Sequence, residues 1–250
     1  MSFVPMSIEE MRQHEWTICW SGGKDSTATV ILCHEYQVPI KEIVYVRMMY
    51  DNVTPATLPV MTNFVDSTKC VFEEWGYRVR IEYGIKTALE NAQKRFKRSR
   101  HSERNGKPYG VMAFMRGMCT FTNVKQRTIA KLALSEYQMI GYASDETRRL
   151  KLLGDTKQSI MVTLDIKESD ATDICKKYRL LSPLYELNVG RDGCWFCPNA
   201  KERERKMLRE NYPELVSEID KMIELCDYPI EGLCCRNNRV KDYYNTKQLN

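Results

Sequence analysis

Short runs rich in valine and isoleucine alternate with helical patterns through the first two thirds of the chain, and this alternation constrains the fold most. It predicts strands at Trp16–Trp20, Glu42–Met48, Tyr77–Tyr83 and Gln138–Ala143, with a weaker strand at Ile160–Leu164. It predicts helices at Ser26–Tyr36, Pro59–Trp75, Lys86–Arg98 and Thr122–Ser135. Strands that alternate with such helices form parallel sheets through right-handed crossovers. The fold class predicted is α/β, with a doubly wound, mostly parallel sheet.

The alternation stops after about Leu164. A helical pattern at Glu168–Tyr178 leads into Ser182-Pro-Leu-Tyr185, then a cysteine-containing loop and a long charged helix at Lys201–Cys226. This order predicts a small helical cap at the C-terminal end of the sequence. We therefore expect an α/β domain at residues 14–165 and a cap at residues 166–250 that packs on it.

Composition predicts a cytoplasmic protein. The longest apolar stretches are far shorter than the roughly 18 residues that a membrane-spanning helix needs, and the first residues are polar and acidic, unlike a signal peptide. In a reducing compartment, ten cysteines point to metal binding or catalysis more than to disulfides. Cys19, Cys33, Cys70 and Cys175 fall within strand or helix patterns and are predicted to be buried apolar residues.

The segment Ser21-Gly-Gly-Lys-Asp-Ser-Thr27, here called the glycine loop, follows the first predicted strand and opens the first predicted helix. Adjacent glycines allow a tight turn that points successive N–H groups at one spot, where the helix N-terminus adds a partial positive charge. The pattern predicts an anion site. A Walker A motif is excluded because Ile18 and Asp25 occupy its glycine and hydroxyl positions, and a dinucleotide fingerprint lacks its third glycine.

The glycine loop resembles the pyrophosphate-binding loop (PP-loop) of the adenine nucleotide alpha hydrolase superfamily. That resemblance implies that the amides of Gly22 and Gly23 and the hydroxyls of Ser21 and Ser26 hold the departing pyrophosphate of ATP. It also implies that Lys24 neutralises the pyrophosphate and that Asp25 positions Mg²⁺. Residues 14–165 would then be the nucleotide-binding domain.

Three further segments resemble the phosphoadenosine phosphosulfate (PAPS) reductase family of that superfamily. They are Met118-Cys-Thr120 followed by Lys125, Ile140 to Arg149, and Ser182 to Tyr185 with Gly193-Cys-Trp-Phe-Cys-Pro198. Attack at an α-phosphate builds charge on pyrophosphate, so the site needs cations around it. Lys24, Lys125, Arg148 and Arg149 are the candidates. Arg148 is preferred, whereas Arg149 also fits an ordinary surface ion pair.

Cys194 and Cys197 form half of a tetrathiolate metal site, with Cys119 as the third candidate ligand. For the fourth ligand the order of preference is Cys235, Cys234, Cys226. An iron-sulfur cluster, which the superfamily's sulfur-donating tRNA enzymes and some reductases carry, is favoured over zinc and over no metal. A redox dithiol ranks lower because no thioredoxin-like context precedes the pair.

Three activities stay open at this point. The first is ATP-dependent adenylation of an acceptor oxygen, coupled to sulfur transfer onto a nucleic acid or a small molecule, with a sulfur-donor protein as partner. The segment Lys94–Lys107, with seven Lys or Arg against one Glu, favours nucleic acid, although a solvated basic face is the competing interpretation. The second is PAPS or adenylyl-sulfate reduction, but the tail Glu231–Arg236 does not match the reductases' Glu-Cys-Gly-x-His segment. The third is a non-catalytic nucleotide-binding subunit. A homodimer is left open.

Overall fold

One parallel sheet organises the first part of the structure. The computed structural model describes residues 4–98, 102–115, 119–132, 134–187, 189 and 193–226. The strands are β1 Trp16–Trp20, β2 Ile40–Arg47, β3 Val79–Tyr83, β4 Gln138–Met139 and β5 Lys157–Gln158. Their order is β3-β2-β1-β4-β5, and all neighbouring pairs are parallel. The predicted α/β class with a doubly wound sheet is confirmed.

Helices of varied length connect and follow the strands. They are α1 Ile8–Met11, α2 Lys24–Glu35, α3 Pro59–Glu74, α4 Ala88–Ala92, α5 Thr120–Lys131, α6 Thr147–Leu150, α7 Ile160–Thr163, α8 Glu168–Lys177, α9 Glu202–Asn211 and α10 Pro213–Glu224. Short 3₁₀ helices lie at Ser102–Arg104 and Gly110–Phe114. Within the described ranges, every helix is too short or too polar to cross a lipid bilayer.

The chain divides into two compact units that interleave along the sequence. Unit 1 comprises described residues of 1–47, 59–83 and 129–192, and therefore the whole sheet. Unit 2 comprises those of 48–58, 84–128 and 193–250. The predicted boundary between residues 165 and 166 does not coincide with the limits of these units, and the division into domains 14–165 and 166–250 stays a prediction.

The first strand and helix are buried because they lie at the middle of the sheet. β1 pairs with β2 on one side and with β4 on the other. Trp16, Ile18 and Trp20 on one face and Thr17 on the other are buried, as expected for a central parallel strand covered on both faces. The helix α2 that follows also buries most of its residues, so the turn between β1 and α2 is held by core packing at both ends.

The helix predicted at Lys86–Arg98 is wrong beyond Ala92, where α4 ends. The following residues pair with a distant segment instead: Phe96 N donates to Lys107 O at 3.0 Å, and Tyr109 N donates to Lys94 O at 2.6 Å. The ring centroids of Phe96 and Tyr109 lie 4.3 Å apart. The basic segment is therefore a folded-back loop rather than the end of a helix.

The weak strand predicted at Ile160–Leu164 is also wrong, because these residues form α7. The edge strand β5 lies just before it, at Lys157–Gln158, and the sequence did not indicate it. A short apolar run is ambiguous between a strand and a buried helix turn, and here burial in the helical form prevails.

The single helix predicted at Lys201–Cys226 is two helices. The break falls at Tyr212, and Pro213 occupies the first turn of α10. Proline lacks the N–H that a continuing helix needs and is tolerated in a first turn.

Among the cysteines predicted to be buried, Cys33 and Cys175 are buried and Cys19 is partly buried, but Cys70 is exposed.

Candidate functional site

The glycine loop lies where the strand order reverses. From β1 the chain proceeds to β2 and β3 on one side of the sheet, whereas β4 and β5 lie on the other. The carboxyl ends of β1 and β4 thus flank the topological switch point, where ligands of open α/β sheets bind. The glycine loop follows the carboxyl end of β1, and the segment Ile140–Glu146 follows that of β4.

Serine hydroxyls close the glycine loop on itself. Ser21 N donates to Ser26 Oγ at 3.1 Å, and Ser26 Oγ donates to Gly23 O at 3.0 Å. The hydroxyls of Ser21 and Ser26 lie 3.0 Å apart. Trp20 Nε1 also donates to Thr27 Oγ1 at 3.0 Å, which ties the end of the strand to the first turn of the helix. The turn is therefore held in shape by its own hydrogen bonds.

Gly22 adopts a conformation that only glycine accepts readily. Its φ is +80°, and a Cβ there would lie 2.4 Å from Met61 Cε and 3.3 Å from Val65 Cγ2. Both neighbours belong to α3 and are buried. The positive φ turns the chain sharply between β1 and α2.

Gly141 brings the main chain after β4 against the first turn of α2. A Cβ on Gly141 would lie 2.7 Å from both Ser26 Cα and Ser26 N, and 2.8 Å from the carbonyl carbon of Asp25. These neighbours are backbone atoms that cannot move aside as a side chain could. Glycine at residue 141 therefore allows the two segments of the switch point to touch.

Lys24 is the main cation of the glycine loop and is only 8% exposed. Its Nζ donates to Asp25 Oδ1 at 2.6 Å and to Glu168 Oε1 at 3.1 Å. Burial lowers the pKa of Lys24, but the two carboxylates outweigh this effect and raise the pKa overall. Lys24 is therefore held protonated.

Negative charge exceeds positive charge around this ammonium group. Burial raises the pKa of Asp25, and Glu168 and Glu146 raise it further, against the opposing effect of Lys24. Glu168 stands at the start of α8, where its N–H donates to Asp145 Oδ1 at 3.3 Å. Sequence reasoning missed Glu168, because nothing in the local pattern links it to a loop 144 residues earlier.

Two further segments lie near Lys24. Cys175 Sγ, buried on α8, donates to Lys24 O at 3.2 Å. Burial raises the pKa of Tyr185, and the charges of Lys24 and Asp25 also act on this hydroxyl. Ser182 Oγ contacts Met61 Sδ at 3.3 Å. The structure thus brings together the glycine loop, the segment after β4 and Ser182–Tyr185, three of the segments that the sequence had singled out.

The two arginines after β4 differ in their surroundings. Arg149 Nη1 pairs with Glu146 Oε1 at 2.7 Å, and its guanidinium lies 4.2 Å from the centroid of the Tyr142 ring. Arg149 therefore forms a surface ion pair, which was the alternative to phosphate binding considered for this residue. Arg148 is exposed on α6, and its role stays a prediction. Lys125 is partly buried on α5 and belongs to unit 2.

The Cys194–Cys197 segment is a tight turn anchored by its two central aromatic residues. Cys197 N donates to Cys194 O at 3.0 Å, and both cysteines are partly exposed. Trp195 is buried, and its Nε1 donates to Pro55 O at 2.9 Å. Phe196 is fully buried. The turn therefore keeps its cysteines toward the surface of unit 2 by burying the residues between them.

Phe196 also draws the segment of Cys119 toward this turn. Its ring centroid lies 4.9 Å from that of Phe114 and 5.7 Å from that of Phe121, which flank Cys119 in the sequence. Asn199 Nδ2 donates to Phe114 O at 3.1 Å. Even so, no three metal-ligating side chains within the described residues are grouped closely enough to hold a metal. Cys234 and Cys235 lie outside the described residues, and the four-cysteine site stays a prediction.

Fold and site together define an α/β protein with a tight glycine turn at the switch point of its sheet. No protein-family model matches the chain, and a search of curated proteins finds no match. Membership of the PAPS reductase family therefore stays a prediction. Among solved structures, the chain is similar to the U34-tRNA thiolase NcsA from Methanococcus maripaludis with its 4Fe-4S cluster. The identity is 14%, the match covers 97% of this chain and 79% of that chain, and the TM-score is 0.45. The fold class is established by the parallel sheet itself.

We predict that Gly141→Ala destabilises unit 1, because the new Cβ must push against the backbone of Ser26 and Asp25. Overpacking of this kind costs about 1–3 kcal/mol in the free energy of unfolding, measurable by urea denaturation. Gly154→Ala is the matched control, since nothing lies within 4 Å of a Cβ at that residue. Equal unfolding midpoints for the two variants would contradict the close approach.

Proposed function

We propose that this protein is a PP-loop enzyme that binds ATP at the glycine loop and cleaves it between the α and β phosphates. An acceptor oxygen would attack the α-phosphorus, and pyrophosphate would leave with the electron pair of the broken P–O bond. The adenylated oxygen is then a good leaving group, so a sulfur nucleophile can displace AMP. The acceptor is a nucleic acid or a small molecule, and a donor protein would supply the sulfur.

The observation that carries this proposal is the position of the glycine loop at the switch point, directly before the buried helix α2. An anion there would meet the partial positive charge of a helix of 12 residues, and it would compete with Ser21 Oγ for the N–H of Gly23. Ser21 and Ser26 already place their hydroxyls side by side. Two linked phosphates match this arrangement better than a neutral ligand does.

Lys24 and Asp25 have complementary roles in the proposed reaction. Lys24 is held protonated beside the turn, so it can stabilise the charge that builds on the leaving pyrophosphate. Asp25 is a partly buried carboxylate next to it, and a carboxylate together with phosphate oxygens is a usual ligand set for Mg²⁺. Arg148, also in unit 1, is a further proposed contact for the phosphates, and the catalytic role of Lys125 stays a prediction.

Cysteine thiolates are the proposed ligands of a metal centre in unit 2. Cys194 and Cys197 are partly exposed on a rigid turn, and their soft sulfur donors suit iron or zinc. Cys119 lies on a segment packed against the same aromatic residues, and Cys235 is the fourth proposed ligand. Thiolate donors suit zinc as well, and the proposal prefers an iron-sulfur cluster because of the family resemblance; such a cluster would supply the sulfur step with redox or sulfur-binding chemistry when bound.

The reaction test is incubation of the protein with ATP or with PAPS, with and without added RNA or DNA. Pyrophosphate release that depends on ATP and an acceptor supports the proposal. Sulfite release from PAPS would instead identify a reductase, and tight ATP binding without turnover under any condition would identify a binding subunit.

Lys24→Ala should weaken ATP binding by about 10- to 100-fold, since a hydrogen bond to a charged group is worth about 1.5–3 kcal/mol. Calorimetry measures the affinity, and Lys24→Arg should retain part of it because the charge is kept. Lys177→Ala is the control, because Lys177 is an exposed lysine of unit 1 that pairs with Glu35. If Lys24→Ala binds ATP as tightly as Lys177→Ala while remaining folded, the glycine loop is not the nucleotide site.

Glu168→Gln should bind Mg²⁺-free pyrophosphate more tightly than the unmodified protein does. The substitution removes a negative charge from beside Lys24, and the gain should not exceed about fivefold because partly exposed ion pairs are worth about 1 kcal/mol or less. Asp173→Asn, on the exposed side of the same helix α8, makes the same charge change as a control. Weaker binding by Glu168→Gln would show that Glu168 supports the anion site instead of opposing it.

Cys194→Ser should abolish metal binding after anaerobic purification, because a hydroxyl is a poor substitute for a thiolate ligand. Absorbance near 400 nm and metal analysis together distinguish an iron-sulfur cluster from zinc. Cys70→Ser, which changes an exposed cysteine on α3, is the control. Unchanged metal content in Cys194→Ser would remove this residue from the ligand set.

A further inference from the structure

Three cations from separate parts of the sequence lie close enough in unit 2 for the charges of two of them to act on the third. Lys86 precedes α4, Lys94 follows it and Arg127 lies on α5. Ile85 N donates to Thr128 Oγ1 at 3.1 Å, which brings the neighbours of Lys86 and Arg127 together. The basic segment identified from the sequence began at Lys94, so Lys86 and Arg127 extend it in space.

Hydrogen bonds hold Lys94 in place within this group. Its Nζ donates to Asn91 Oδ1, and the fully buried Asn91 donates through Nδ2 to Thr87 O at 2.8 Å. Tyr109 N also donates to Lys94 O at 2.6 Å. The ammonium group of Lys94 is therefore positioned by the fold and does not move freely through solvent.

The three cations repel one another with little compensation. Burial lowers the pKa of Lys94, and Lys86 and Arg127 lower it further, against the opposing effect of Glu90. Glu90 is already engaged, since its Oε2 accepts from Thr87 N at 2.9 Å. Among the described residues, no carboxylate forms an ion pair with Lys86, Lys94 or Arg127.

Positive charge continues from this group along the folded-back loop. Arg95, Lys97 and Arg98 are exposed, and Arg95 Nη1 donates to Gly106 O at 2.6 Å, which keeps the loop in shape. A row of cations on a fixed backbone suits a ligand with repeated negative charges better than it suits a single phosphate.

We infer that Lys86, Lys94 and Arg127 form a subsite for the phosphate backbone of a nucleic acid. The polyanion would supply the missing counter-charge, and the adjoining loop would contact neighbouring phosphates. This inference deepens the proposed function, because it assigns a binding surface for the proposed nucleic-acid acceptor, but it is tested by binding alone.

The experiment is fluorescence anisotropy with labelled RNA and DNA hairpins over a range of salt concentrations, without ATP. The variant is Lys86→Gln combined with Arg127→Gln, both exposed side chains. Each phosphate that the protein no longer neutralises should reduce the slope of log K against log salt by about 0.7–0.9, so the double variant should reduce it by about 1.4–1.8. A reduced slope for RNA alone would identify an RNA acceptor, and a reduced slope for both would show that the subsite accepts either backbone.

The matched control is Lys41→Gln combined with Lys176→Gln, which removes the same charge from exposed positions in unit 1. An equal reduction in the control would overturn the inference, because net charge and not the subsite would then explain binding. So would the absence of hairpin binding by the unmodified protein, or binding only to anionic lipid vesicles. Failure to bind ATP with retained hairpin binding would contradict the proposed function while leaving this inference standing.

Discussion

The close approach of Gly141 to the backbone of Asp25 and Ser26 is the constraint on which the candidate site depends. Through this contact the segment after β4 packs directly against the first turn of α2. The segments that follow β1 and β4 are therefore in contact at the switch point. Gly22 provides the sharp turn between β1 and α2, and Ser26 closes the loop with hydrogen bonds. The shape of the turn follows from this packing and from its own hydrogen bonds.

The charges around Lys24 in unit 1 would affect how the proposed site binds an anion. Lys24 pairs with Asp25 and Glu168, and the charge of Glu146 acts on Asp25. An arriving polyphosphate must compete with these carboxylates for Lys24, unless a divalent cation joins it and offsets the added negative charge. The role proposed for Asp25, that of a Mg²⁺ ligand, agrees with this arrangement of charges.

Sequence reasoning predicted the parts of the fold that rest on local pattern. The strand Trp16–Trp20 has the bounds that were predicted, and α3 and α8 each end within a residue of expectation. The parallel sheet follows from the alternation of strands and helices. Pro213 indicates a helix start, so the sequence could have predicted two helices in place of the single one at Lys201–Cys226. The loop of Phe96 against Lys107 was not predictable, because it rests on pairing between residues that are distant in the sequence.

The candidate site also has parts that the sequence predicted and parts that it did not. The glycine loop was readable because its residues are contiguous and sit between a strand and a helix, whereas Glu168, Cys175 and Arg127 acquire meaning only through folding. Gly141 was part of a segment singled out from the sequence, but only the structure shows why it is glycine: a Cβ there would clash with the backbone of Ser26. A contiguous motif can be predicted from the sequence, whereas the residues that contact it from distant parts of the chain become known only from the fold.

Hydrogen–deuterium exchange of the peptides that cover residues 16–27 tests the central claim most directly. With saturating pyrophosphate, and again with ATP, the amides of Gly22, Gly23 and Lys24 should exchange more slowly, while peptides of β3 stay unchanged. Unchanged exchange in the glycine loop at saturation, or protection confined to another part of the chain, would contradict an anion site at the switch point.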